Sequence, residues 1–128
     1  MSIEKYRPYI GLDYVQPNGC FRLVEKVFLE LYGIDLNTPD EGLEEESESR
    51  DKTRIVLSSI GRLSREVKEP KEGDVVLIKS RPWHIGIVVG EGLMLHNYSK
   101  NGTSCIEEYN SLRWKKRIEG FYRYKGFK

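Results

Sequence analysis

The sequence is poor in the residues that metal cages and disulfide scaffolds are made from. Its 128 residues include two cysteines, Cys20 and Cys105, and two histidines, His84 and His96. A Cys/His zinc cage would have to recruit carboxylates at spacings that match no metal signature, so neither a metal nor an organic cofactor is expected. Proline is also sparse, at five positions, and 38% of the residues are hydrophobic, which excludes collagen-like and disordered chains. Lys and Arg number 21 against 20 Asp and Glu, a formal net charge of +1. No overall field therefore draws in nucleic acid or an anionic membrane. The longest apolar runs, such as Ile85 to Val89, fall far short of the ~20 residues that span a bilayer. Charges in Met1 to Pro8 occupy the place of a signal peptide's apolar stretch, so synthesis in a reducing cytosol without export is expected, with both cysteines as free thiols. A chain of this length buries roughly two thirds of its unfolded surface, enough for one domain over residues 1–128.

Between Phe21 and Tyr32, apolar residues fall at Leu23, Val24, Val27, Phe28 and Leu31, one stripe of a helix that Gly33 can end. Pro17-Asn18-Gly19 reads as the turn before it and puts Cys20 at the helix start. Residues 37–51 are acidic, with Asp40, Glu41, Glu44, Glu45, Glu46 and Glu48, and read as an exposed loop or flap. Ile55, Val56, Ser59, Ile60 and Leu63 predict a second helix over about Lys52 to Val67. After Pro70 the period becomes that of strands, at Val75–Lys79, His84–Val89, Leu93–Tyr98, Ser104–Tyr109 and Ile118–Tyr124. Helices followed by an antiparallel meander of about five strands make an α+β architecture.

A cysteine attacks as its thiolate, which a helix N-terminus and a neighbouring imidazolium both favour. Cys20 meets the first condition, although a lone cysteine at a helix start is often only a packed hydrophobe. His84 and His96 flank a hairpin. A three-residue loop Gly90-Glu91-Gly92 would pair Val89 with Leu93 and put both rings on one face, as diagonal neighbours. A two-residue loop would separate them. The shared face would carry Gly86, Val88, Met94 and Tyr98 as well, and the Cys20 helix is expected to pack on it, near Gly86.

Gly19-Cys20-Phe21-Arg22-Leu23-Val24, Gly73-Asp74-Val75-Val76, His84-Ile85-Gly86-Ile87-Val88 and Met94-Leu95-His96 together resemble the NlpC family of papain-like peptidoglycan peptidases. Trp114, Arg117, Gly120 and Arg123 look like that family's closing strand, so the resemblance spans nearly the whole chain. It implies a papain-like α+β fold with Cys20 as nucleophile, His84 as base and His96 orienting His84. It also implies a Tyr near the oxyanion, for which Tyr9 is the match and Tyr14 stands too close in sequence. The substrate implied is a peptidoglycan stem peptide, cut between D-glutamate and diaminopimelate. Within the family, the run from Cys20 to Tyr32-Gly33-Ile34-Asp35-Leu36 looks most like the tailed-bacteriophage branch, implying a tail hub or tip partner and a place in the virion tail. One departure is Gly19, where the family commonly has Asp before the Cys.

The basic and aromatic stretch from Arg113 to Lys128 reads as a solvated strand face with aromatic core partners, since no nucleic-acid motif accompanies it. Cys105 alternates with Thr103 and Glu107 on a strand with no histidine beside it in sequence, and reads as packing. A non-enzymatic tail-tip docking module, favoured by Gly19, is the competing reading.

Overall fold

The computed structural model of the chain describes residues 3–14, 19–36, 64–79, 84–98 and 100–127. A 3-10 helix over Ile3–Tyr9 precedes helix α1 over Gly19–Tyr32. Six strands follow: β1 Ser64–Val67, β2 Val75–Ile78, β3 His84–Gly90, β4 Leu93–Asn97, β5 Ser104–Glu108 and β6 Ile118–Tyr124. They form one antiparallel sheet in the order β1-β6-β2-β3-β4-β5. The α+β class expected from sequence is present, with six strands rather than about five.

The stripe on α1 buries Leu23, Val24, Val27 and Phe28, and Gly33 at φ +67° ends the helix as expected. Most of the predicted second helix, and the acidic stretch 37–51, lie outside the described residues. Its last four positions, Ser64–Val67, are a strand on β6, in the register Ser64↔Tyr124 through Val67↔Phe121. The apolar stripe ends at Leu63, so nothing helical anchors Ser64-Arg65-Glu66, and the open edge of β6 offers them a full ladder instead.

The sheet separates two cores. On the first face, Val75, Leu77, Ile85, Ile87, Val89 and Leu95 pack with α1 and with Tyr6 and Tyr9 of the 3-10 helix. On the second, Val76, Ile78, Val88 and Met94 pack with Tyr98, Tyr109 and Trp114. With both faces covered, every residue of β2 and β3 is buried. Beneath β6, the Arg123 guanidinium donates Nε to Asp74 Oδ1 and Nη2 to Oδ2, each at 2.9 Å, a paired charge that tolerates burial because it is bidentate.

Candidate functional site

Register brings the histidines together. Strands β3 and β4 pair Gly86↔His96, Ile87↔Leu95 and Val88↔Met94, then slip to Gly90↔Leu93. The turn is therefore Glu91-Gly92, with Gly92 at φ +73°, and not the three-residue loop read from sequence. Shortening the loop by one residue would reverse the facing of every side chain below it. An extra residue at Val89, a bulge, reverses it again. The two departures cancel, and His84 and His96 share a face with their rings 4.9 Å apart.

His84 Nε2 lies 2.7 Å from His96 Nδ1, and His96 Nε2 lies 3.3 Å from Glu107 Oε1. The other oxygen of Glu107 accepts a 2.6 Å bond from Trp114 Nε1. A carboxylate only accepts, so the partners assign the His96 proton to Nε2, leaving Nδ1 to accept from His84 Nε2–H. The lone pair of His84 is then on Nδ1, the tautomer a base requires. The indole of Trp114 stacks on His84 with centroids 5.9 Å apart and meets His96 edge-on at 5.3 Å, while Tyr98 stands 5.1 Å from His84. Burial holds His84 well below the usual histidine value, and the charges of His96 and Arg113 push the same way. Burial lowers His96 as well, against the pull of Glu107. Both rings are thus neutral at pH 7.

Cys20 is the second residue of α1, buried within the first core. The expectation that α1 packs on the histidine face is overturned: it covers Ile85, Ile87 and Leu95, whose side chains alternate away from His84, Gly86 and His96. Gly86 instead admits its own sheet neighbours, since a Cβ there would lie 3.0 Å from the His96 Cβ and 3.3 Å from a Val76 methyl. Cys20 and His84 nevertheless share one end of the sheet. A cleft of about 290 Å³ at the start of α1 is lined by Gly19, Arg22, Leu23 and Lys26, together with Asp13 and Asn97. Asn97 follows His96 directly, and its buried Oδ1 has no hydrogen-bond partner among the described residues.

Tyr9 is placed elsewhere. Its hydroxyl donates to Glu30 Oε1 at 2.8 Å, and Glu30 is ten residues, about 15 Å of helix axis, beyond Cys20. The tyrosine beside the cysteine is Tyr14, whose ring would lie 2.9 Å from a Cβ at position 19. That contact explains Gly19: an Asp there would collide with the ring. The pairing of Gly19 with a bulky aromatic five residues earlier is the only signal the sequence carried for it. Cys105, read as having no histidine beside it, lies directly across the ladder from His96, with Sγ 3.8 Å from Nε2. Neither cysteine is in a disulfide, as expected. The sequence puts Glu107 on the face of Cys105 but not beside His96, because only the β4–β5 register reveals that position.

The family model for the NlpC/P60 family matches residues 13–123. Among solved structures, an NLP/P60 family protein similar to a lipoprotein, from Staphylococcus aureus, superimposes with a TM-score of 0.61 at 16% identity over 95% of this chain. A NlpC/P60 family protein from Bacillus cereus gives 0.61 at 15% identity, also over 95% of the chain. The chain spans only 39% and 38% of those two proteins. The NlpC/p60 domain of the peptidoglycan hydrolase SagA gives 0.54 at 16% identity, with 93% of this chain and 92% of that one covered. The sequence matches no curated protein.

Proposed function

Because the chain belongs to the NlpC/P60 family, we propose that it is a cysteine peptidase of bacterial cell-wall stem peptides, cutting between D-glutamate and diaminopimelate. The observation that carries this reading is the buried relay Glu107–His96–His84, which holds a neutral imidazole in the base tautomer at the end of the sheet where α1 presents Cys20. A packing role alone needs no such ordering of ring protons. The substrate class is supported by SagA, a peptidoglycan hydrolase whose NlpC/p60 domain shares this fold.

In the proposed reaction, His84 Nδ1 takes the Cys20 thiol proton and Sγ attacks the scissile carbonyl. The Cys20 backbone N–H at the helix start stabilises the oxyanion, and the acquired proton passes from His84 to the leaving amine. Water then hydrolyses the thioester by the same route in reverse. His96 keeps the His84 tautomer throughout. Reaction requires Cys20 Sγ and His84 Nδ1 to meet at the end of the sheet they share while the His84–His96 hydrogen bond is kept. The cleft beside Gly19, with Asp13, Arg22, Lys26 and Asn97, receives the zwitterionic stem peptide. The setting we assign is the tail tip of a tailed bacteriophage, with a tail hub protein as partner, on the likeness of the Cys20 to Leu36 run to that branch.

One observation favours a second reading, a papain-like docking module without activity: Cys20 and the histidine pair stand on opposite faces of the sheet. The rate of Cys20 alkylation against pH separates the two. A peptidase shows Cys20 reacting below pH 7 and losing that reactivity in His84→Ala, while Cys105, whose thiol burial and Glu107 push up to about 11, stays inert. If Cys20 is as inert as Cys105, the docking module is the correct reading.

A further inference from the structure

A cluster behind His96 shares His96 and Glu107 with the proposed peptidase relay and adds Cys105, which that reaction does not use. His96 and Cys105 are a direct cross-strand pair on β4 and β5, and Glu107, two residues further along β5, points to the same face. Their donor atoms form a triangle. Nε2 to Oε1 is 3.3 Å, Sγ to Oε1 is 3.4 Å and Sγ to Nε2 is 3.8 Å. A tetrahedral Zn²⁺ at its usual bond lengths of about 2.0–2.3 Å has ligand-to-ligand edges of about 3.3–3.6 Å. The three observed edges match within about 0.2 Å, on a backbone ladder that fixes them before any cation arrives. One nitrogen, one sulfur and one carboxylate oxygen leave a fourth position open to water.

We propose that His96 Nε2, Cys105 Sγ and Glu107 Oε1 bind a thiophilic divalent cation, Zn²⁺ foremost, and that binding switches off His84 as a base; this second half rests on the peptidase reading above. The coupling follows from which nitrogen the cation occupies. With Nε2 ligated, the only proton His96 can carry is on Nδ1, and Nδ1–H then donates to His84 Nε2. The His84 proton must sit on Nδ1, where the peptidase reading needs a lone pair. Protons balance: the Cys105 thiol proton goes to solvent as the Sγ–metal bond forms, His96 and His84 each exchange one ring proton for another, and no oxidation occurs. Trp114 Nε1 already engages the other oxygen of Glu107, so Oε1 faces the site.

One group opposes the cation. The Arg113 guanidinium lies 3.4 Å from Glu107 Oε1 and 3.0 Å from Asn101 Oδ1, but its side chain is 45% exposed and can swing into solvent. The amide of Asn101, 3.1 Å from Oε1, is a neutral neighbour. Arg113→Ala is therefore expected to tighten binding about two- to fivefold.

The decisive experiment titrates the full chain with Co²⁺ as a spectroscopic stand-in for Zn²⁺ and follows the thiolate-to-cobalt charge-transfer band. Wild type and Cys20→Ala show the band at one equivalent. In Cys105→Ser, a near-isosteric change checked by circular dichroism, the band disappears and Zn²⁺ binds at least about tenfold more weakly, since even outer partners of a metal site are worth that much. No band in wild type, or a band that survives Cys105→Ser, overturns the site. Muropeptide cleavage tests the coupling: Zn²⁺ inhibits wild type, and Cys105→Ser keeps activity while resisting inhibition at least about tenfold better. Cobalt binding without inhibition upholds the site and overturns the coupling. A metal-free chain that cleaves nothing refutes the peptidase reading, and the cobalt band still decides the site.

Discussion

The two faces of the sheet solve the same packing problem with different materials. The α1 face is filled mainly by aliphatic side chains and phenylalanines that exclude water, together with Cys20, while its Tyr6 and Tyr9 hydroxyls donate to Glu72 and Glu30, away from the sheet's histidines. The second face adds rings to its aliphatics: Trp114, Tyr98, His84 and His96 in mutual edge and stacked contact, with Trp114 and His96 tied to Glu107, and Tyr109 against Phe121. Aliphatic packing has no direction, whereas each ring nitrogen demands a partner in one direction. The first face therefore specifies stability, and the second specifies proton positions.

The sharpest way to break this division is to remove chemistry without removing packing. Cys20→Ala and His84→Ala are each expected to lower muropeptide cleavage by at least about a thousandfold with circular dichroism unchanged. Full activity in either would separate that residue from the reaction. Next in size are the two large truncations, Trp114→Ala and Phe28→Ala, each costing about 3–5 kcal/mol in urea unfolding. They should differ in one respect: Trp114→Ala shifts the histidine ring signals in NMR and Phe28→Ala leaves them in place. Identical spectra would mean that the faces are not independent. Gly19→Asp is expected to cost about 1–3 kcal/mol through collision with Tyr14, and much less in a Tyr14→Ala background. Additive losses would show that the ring is not the obstacle.

Acidity gives a smaller and selective effect. Both histidines are depressed in the folded state, so the unfolded chain binds more protons. Stability is then level above the ordinary histidine value near 6.5 and falls as the pH drops below it. His84 faces His96 and the Arg113 charge, which oppose protonation, and Glu107 opposes the loss only at His96. Denaturant midpoints measured from pH 8 to 5 should decline in wild type and flatten in His84→Phe. The smallest effect belongs to the exposed Lys26–Glu30 pair at 3.6 Å, where Lys26→Ala is expected to cost at most about 0.5 kcal/mol.

Much of this was legible without coordinates. The helix from Cys20 to Tyr32 was visible because its apolar stripe has one polar flank, and β6 because its bounds are marked at both ends. The facing of His84 and His96 was readable as well, although the loop and the bulge that produce it were not. The side on which α1 packs was hidden. In β3 the odd positions Ile85, Ile87 and Val89 are the more apolar set and are the ones α1 covers, but the strand is buried on both faces, and the histidines drew the helix to the wrong one. Cys105 and Glu107 were hidden for a related reason: what joins them to His96 is the β4–β5 ladder, and the Asn101-Gly102 turn signal lies in a six-residue connection, 98–103, too long for that dipeptide alone to set the register. Tyr14 was passed over on sequence distance, while the glycine it packs against was already in view.

The strand order carries one more consequence. β6 is last in the chain but sits between β1 and β2, hydrogen-bonded to both. During synthesis β2 through β5 can zip up as a meander, yet β1 has no partner until residues 118–124 have left the ribosome. Insertion of β6 also delivers Arg123 to the Asp74 carboxylate, which is fully buried in the folded chain. Closure of the sheet is thus a late, long-range event that neutralises an internal charge as it completes the ladder, which makes the nascent chain slowest to mature at its final step.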